Sequence, residues 1–96
     1  MYVLITYDVA GLDKGGARRL RRVSKLCCQY GQRVQYSVFE CLLEPAQFVE
    51  LKRQLLNAID PSQDSIRFFN LGKNRNARVE EYGAKKSYDP EGFLFI

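Results

Sequence analysis

The order of elements in this sequence predicts an α+β fold: a ferredoxin-like βαββαβ unit with a C-terminal extra strand, paired into a homodimer through its sheet face. Three observations point there. Strand-like runs rich in β-branched and aromatic residues alternate with two segments whose apolar residues recur at helical spacing. No internal repeat or change of composition divides the 96 residues, a length suited to one domain over residues 1–96. The expected strands also carry apolar residues on both faces, more than a single layer of two helices can cover.

The first strand is residues 2–7; it ends at Asp8, and Gly11, Gly15 and Gly16 then mark a loop. Residues 17–30 read as a helix with Gly31 as its stop. At about 100° per residue, Leu20, Val23, Cys27 and Tyr30 share one face. Arg18, Arg21, Arg22 and Lys25 share the opposite one, and Arg19 falls at the border. Residues 32–43 form a long strand-like stretch, two strands if it bends near Gln35 to Ser37. Glu44-Pro45 opens a second helix, proline being tolerated at the first helical position. Its buried stripe is Phe48, Leu51, Leu55 and Ile59, and Asp60-Pro61-Ser62 ends it. Residues 65–71 give another strand, residues 73–77 a polar basic loop, and residues 78–82 a short strand. Residues 73–96 thus form a C-terminal extension, finishing in an apolar tail at 93–96, that is expected to contact the partner subunit.

The case for a partner lies in the strand alternation. Val3, Ile5 and Tyr7 oppose Tyr2 and Leu4, while Val38 and Leu42 oppose Phe39 and Cys41. An antiparallel sheet with one wet face alternates more cleanly than this. A second copy meeting the sheet about a two-fold axis would supply the missing layer; the C-terminal segment folding back is the competing source.

Composition narrows the chemistry. The formal net charge is +4, which says little by itself. Its distribution says more: Lys14, Arg18, Arg19, Arg21, Arg22, Lys25 and Arg33 occur with no acidic residue among them, a positive field of the kind that attracts polyanions. Histidine is absent, so Ser-His-Asp and Cys-His catalysis are excluded, and any catalysis must use carboxylates, a metal, arginine or lysine. The three cysteines, Cys27, Cys28 and Cys41, include an adjacent pair and no C-x-x-C spacing. They are expected to be buried free thiols, neither a disulfide framework nor a zinc site. The longest strongly apolar run, residues 2–7, is far too short to span a bilayer, and no basic leader precedes it. The expected location is the cytoplasm, with no membrane partner.

Asp8 is the leading candidate for chemistry. A carboxylate directly after an apolar strand, followed by a glycine-bearing loop, lies at a sheet edge that solvent and substrate can reach. The competing reading is an Asx turn or a helix cap, a role for which Asp13 is better placed. One carboxylate is too little for a magnesium site acting on phosphodiesters, since Mg²⁺ keeps several waters and takes one or two carboxylates with phosphate oxygens. A two-fold axis would bring a second Asp8, and a cation between the pair would relieve their repulsion and activate a water.

The basic face of the first helix would contact phosphates without reading bases; a solvated helix face is the alternative. Arg19, at its border, either snorkels across the core rim or reaches toward the Asp8 end of the sheet. In the run from Gln35 to Glu40, Val38 and Phe39 read as core. The hydroxyls of Tyr36 and Ser37 could bond phosphate or a metal-bound water, although no base is placed to make Ser37 a nucleophile.

Tyr7-Asp8, Arg18-Arg19-Leu20 and the segment Gly31-x-x-x-Gln35-x-Ser37-Val38-Phe39-Glu40 together resemble the CRISPR-associated Cas-two family, the small partners of the Cas integrase. The resemblance covers essentially the whole chain, including residues 67–72 and the region of Gly83. It implies a ferredoxin-like homodimer in which the two Asp8 residues share Mg²⁺ or another divalent cation. Asp8 is then both metal ligand and catalytic residue of an endonuclease acting on single-stranded RNA or double-stranded DNA. Candidate nucleic-acid contacts are Arg18, Arg19, Arg22, Lys25 and Arg33, with Tyr7, Ser37 and Phe39 in support. Family members also bridge integrase dimers and hold the DNA that becomes a spacer. A non-catalytic adaptor is therefore the alternative, and a general RNA-binding ferredoxin-like module a third reading.

Overall fold

A computed structural model describes residues 1–11, 15–72 and 78–84 of the chain. Its elements run β1 (Tyr2–Asp8), α1 (Ala17–Cys27), β2 (Gly31–Gln35), β3 (Val38–Leu42), α2 (Pro45–Ala58), β4 (Ser65–Asn70) and β5 (Arg78–Gly83). The strands form one sheet in the order β2-β3-β1-β4-β5. Every neighbouring pair is antiparallel. The first four strands therefore take the ferredoxin-like order expected of βαββαβ, and the extra strand extends the sheet beside β4.

β1 lies at the centre, where Ile5 faces Phe39 on one side and Phe68 on the other. The two-residue period of a strand then sends Val3, Ile5, Tyr7, Phe39, Cys41, Ile66 and Phe68 to the same side. There they are buried with Leu20, Val23 and Cys27 of α1 and with Phe48, Leu51 and Leu55 of α2. Phe68 sits between Phe48 and Tyr82, with ring centroids 5.9 and 6.0 Å away in edge-on geometry. Burial of one such side chain stabilises the fold by about 1.5–3 kcal/mol.

The opposite face is the one the strand alternation singles out. Tyr2 and Leu42 are exposed there, Leu4 and Val38 are half-buried, and Phe69 is buried. Both helices lie on the other side. Val38 and Phe39, both expected in the core, are divided by the alternation: Phe39 enters the core and Val38 joins the second face.

Several boundaries shift for local reasons. α1 stops at Cys27, where the next N–H, that of Cys28, closes on Ser24 O at 2.9 Å. Tyr30 falls in the following turn, its N–H donating to Cys27 O at 3.0 Å. Cys28 is exposed, contrary to the expectation of burial, because one residue past the core stripe the helix has turned about 100° away from it. All three thiols are free, and Cys27 and Cys41 are buried. Gly31 is more than a helix stop. It begins β2, and a Cβ there would lie 1.9 Å from Glu40 O, so only glycine lets β2 approach β3.

The bend in the long stretch falls at Tyr36 and Ser37. α2 opens as expected, with Pro45 in its first turn and the Glu44 N–H donating to Gln47 Oε1 at 2.8 Å. β5 pairs with β4 of the same chain, and Arg67–Glu81 and Lys52–Glu80 ion pairs of 2.8 and 2.7 Å fasten it. The rest of the expected extension, including its tail at 93–96, lies outside the described residues, as do Asp13 and Lys14. Among the described residues, no helix is long and apolar enough to cross a membrane.

Candidate functional site

Asp8 is the last residue of β1 and stands opposite Ser65 of β4. Alternation along β1 buries Tyr7 among the core side chains and turns Asp8 to the face that lacks helices, where it is exposed. The same end of the sheet gathers three other segments. The β2–β3 turn contributes Ser37, whose carbonyl accepts the Tyr7 N–H at 2.9 Å. β4 contributes Ser65, and β5 ends beside it at Gly83.

Beneath this end lies a carboxylate that the sequence did not single out. Asp64, immediately before β4, is fully buried. Its Oδ2 accepts hydrogen bonds from Tyr7 Oη at 2.5 Å, Arg19 Nε at 2.7 Å and Asp60 N at 3.0 Å. Its Oδ1 accepts from Ala10 N at 3.1 Å and Arg19 Nη2 at 3.2 Å. Burial by itself would raise the carboxyl pKa, but the donors from Arg19, Tyr7, Asp60 and Ala10 outweigh it and hold the group below its ordinary range. Tyr7 moves the other way: burial, then its hydrogen bond to Asp64, pushes its hydroxyl well above the usual phenol range. The hydrogen bond to Asp64 likewise raises Arg19. All three groups thus keep their neutral-pH charge states firmly.

One signal could have revealed Asp64. Arg19 lies at the edge of an apolar stripe, where a guanidinium needs a buried acceptor, and the Asp60-Pro61-Ser62 turn returns the chain toward it.

The candidate nucleic-acid contacts separate into three environments. Arg18, Arg22 and Lys25 are exposed along the outer side of α1, where they and Arg21 line one hollow with Leu26 and Gln29. Arg19, grouped with them on sequence grounds, is directed inward to Asp64 and also reaches Ala10 O at 3.4 Å. Arg33 lies on β2, its guanidinium carbon 5.6 Å from the Tyr36 ring centroid and 5.3 Å from that of Phe39. Phe39 therefore serves the core and orients Arg33. Of the supporting residues, Tyr7 and Ser37 join Asp8 at the strand end, whereas Phe39 lies farther along the sheet beside Ile5.

An exposed carboxylate suits a hard divalent cation, and among the described residues Asp8 is the exposed carboxylate at this strand end. Among the described residues no group of three or more His, Cys, Asp or Glu could hold a metal ion. A second copy adding its own Asp8 would give a donor set that fits such an ion.

Comparison with known proteins gives concordant matches. Residues 1–79 match the family model described as CRISPR associated protein Cas2. The chain is 56% identical over its full length to the CRISPR-associated endoribonuclease Cas2 of Nitratidesulfovibrio vulgaris, covering 94% of that protein. It is 52% identical, over the full length of both, to the CRISPR-associated endonuclease Cas2 of Halalkalibacterium halodurans. Among solved structures, Streptococcus pyogenes Cas2 superposes with a TM-score of 0.72 at 58% identity, covering 77% of this chain and 89% of that one. A hypothetical protein of Thermus thermophilus gives a TM-score of 0.64 at 31% identity, covering 74% and 80%. Fold and full-length similarity agree, and the chain belongs to the CRISPR-associated Cas2 family.

Proposed function

We propose that the chain is a divalent-metal-dependent endonuclease of the spacer-acquisition machinery, hydrolysing phosphodiester bonds in RNA or double-stranded DNA as a cytoplasmic homodimer. The observation that carries the reading is the contrast at the end of β1. Tyr7 is locked into the core, while Asp8 projects from a face already lined by Tyr2, Leu4, Val38 and Leu42. An apolar face of that kind calls for a covering layer, and a second copy would bring a second Asp8 with it. The names of the relatives, endoribonuclease and endonuclease, support phosphodiester hydrolysis. Mg²⁺ or a similar ion, when bound, supplies the polarisation of a phosphate and the acidification of a water. The chain's own contribution is the Asp8 carboxylate pair that holds the ion, together with exposed Arg18, Arg22, Lys25 and Arg33, which neutralise phosphates.

The test is Asp8→Ala, assayed for cleavage of single-stranded RNA and of duplex DNA, with the oligomeric state followed by light scattering. Loss of cleavage with a persisting dimer is expected. Cleavage at the full rate would overturn the metal-site reading.

A second role is favoured by a separate observation: the basic side of α1 belongs to the helix layer, on the other side of the sheet from the Asp8 face. In a dimer joined through the open sheet faces, both basic helices would look outward, free to hold a duplex and to bridge integrase subunits. This adaptor role predicts that Asp8→Ala preserves spacer integration with the integrase present, whereas charge reversal at Arg18 and Arg22 impairs it. Normal integration by the reversal variant would remove the basic helix from the adaptor role.

A further inference from the structure

A strand end on an exposed face is a poor place from which to aim a carboxylate. Asp8 ends β1, three residues before Gly11 at φ 69°. Binding one ion between two carboxylates demands placement to roughly 0.5 Å, which requires support from outside the strand. Beyond the ladder partner Ser65 and the Ser37 carbonyl that accepts the Tyr7 N–H, one side chain supplies such support. Tyr7, the residue before Asp8, and Ala10, two residues after it, both donate hydrogen bonds to the Asp64 carboxylate. The chain is thus pinned on either side of Asp8 by a side chain lying 56 positions away in the sequence.

Asp64 is itself held from every direction. Arg19 of α1 grips both carboxylate oxygens. The turn after α2 donates the Asp60 N–H to its side chain, and Asp60 O accepts the Asp64 N–H at 2.7 Å. From the third side the Ala84 N–H donates to Asp64 O at 2.9 Å. Gly83 makes that closure possible: a Cβ there would stand 1.9 Å from Asp64 O, and its φ of +119° favours glycine in any case.

We infer that Asp64 is a positioning residue for Asp8: through Tyr7 and Ala10, and anchored by Arg19, it fixes the direction in which the Asp8 carboxylate leaves the sheet. This rests on the reading of Asp8 as the metal-holding carboxylate. It gives the Tyr7-Asp8 dipeptide a division of labour, one residue bound to the anchor and the next aimed by it. Arg19 becomes part of the same device, with its charge directed to Asp64.

The experiment compares the full-length wild type with Tyr7→Phe, Asp64→Asn, Val23→Ala and Asp8→Asn. It reads kcat and KM for cleavage, Mn²⁺ affinity by calorimetry with the metal alone, and hydrogen exchange of the Ala10 amide. Tyr7→Phe and Asp64→Asn are expected to lower kcat about 10-fold with KM within about twofold. They are also expected to weaken Mn²⁺ binding about 10-fold and to speed Ala10 exchange. Val23→Ala removes core volume without removing any of the hydrogen bonds to Asp64, so it should lower the melting temperature while leaving kcat and Mn²⁺ affinity unchanged. If Asp64→Asn fails to fold, Tyr7→Phe decides, since it removes a single hydroxyl and no charge. Wild-type kcat and Mn²⁺ affinity in folded Tyr7→Phe and Asp64→Asn, with Asp8→Asn inactive, would overturn the inference alone. An Asp8→Asn protein active at the full rate would overturn the function reading and this inference with it.

Discussion

Asp8 and Asp64 meet at one end of the same sheet, yet their surroundings are opposite. Asp64 has no exposed surface and receives hydrogen bonds from Tyr7, Ala10, Asp60 and two nitrogens of the Arg19 guanidinium, whereas Asp8 projects from the helix-free face into solvent. A buried carboxylate is tolerable only when its charge is met by well-placed donors, and a group so engaged has little left to offer a ligand. A carboxylate at an exposed strand end stays within reach of solvent, metal or substrate. Burial, more than residue type, separates a structural acid from a candidate reactive one.

That contrast can be broken in several ways. The largest effect is expected for Asp64→Ala, which leaves a guanidinium, a phenol and backbone amides without their acceptor. It should destabilise the fold by about 3–5 kcal/mol in chemical denaturation. Gly83→Ala attacks the same closure through the backbone and should cost roughly 1–3 kcal/mol, because the strain at its φ and the approach to Asp64 O cannot both be relieved.

Next is the double charge reversal Arg18→Glu with Arg22→Glu. Both side chains are exposed, so the melting temperature should hold. Nucleic-acid affinity should fall, and the slope of log affinity against log salt should flatten by roughly 0.7–0.9 for each phosphate that is no longer neutralised. A variant with unchanged salt dependence would mean that the hollow along α1 binds no backbone.

The smallest effect is in pH. Asp64 is held below its ordinary pKa of 3.8, so its contribution to stability is present above that value and is lost as acid titrates the folded-state carboxyl below it. Tyr7 is raised above its ordinary 10.0, so its contribution is present below that value and fades as alkali reaches the folded-state phenol. The contributions of these two groups to the denaturation midpoint should be constant between these limits and fall outside them. Asp64→Asn should remove the acid limb due to this residue, and Tyr7→Phe the alkaline one.

Much of this architecture can be read from the chain because its signals are local. The alternation of residues 2–7 sorts Val3, Ile5 and Tyr7 from Tyr2 and Leu4, and the spacing of Leu20, Val23 and Cys27 places the buried stripe of α1. Pro45 and the bend near Ser37 mark element boundaries within a residue or two. What stays hidden depends on distant partners. Arg19 and Asp64 are 45 positions apart, and the place of Arg19 at the edge of the apolar stripe signals a buried acceptor without saying which residue supplies it. Gly31 looks like a helix stop, but its requirement comes from Glu40 on the neighbouring strand. Val38 and Phe39 both read as core although the alternation opposes them, and the register with Thr6 and Ile5 shows which of the two enters it. Asp8 stands out as a candidate because a carboxylate at a strand end is itself a local pattern; the group that anchors it does not.

The most direct measurement pairs stability with cleavage in a single variant, Asp8→Asn, which keeps the shape of the side chain and removes its charge. A melting temperature and dimer content equal to wild type are expected, with cleavage of RNA and duplex DNA abolished in the presence of Mg²⁺ or Mn²⁺. Cleavage at the wild-type rate by this variant would contradict the assignment of Asp8 as the metal-holding carboxylate.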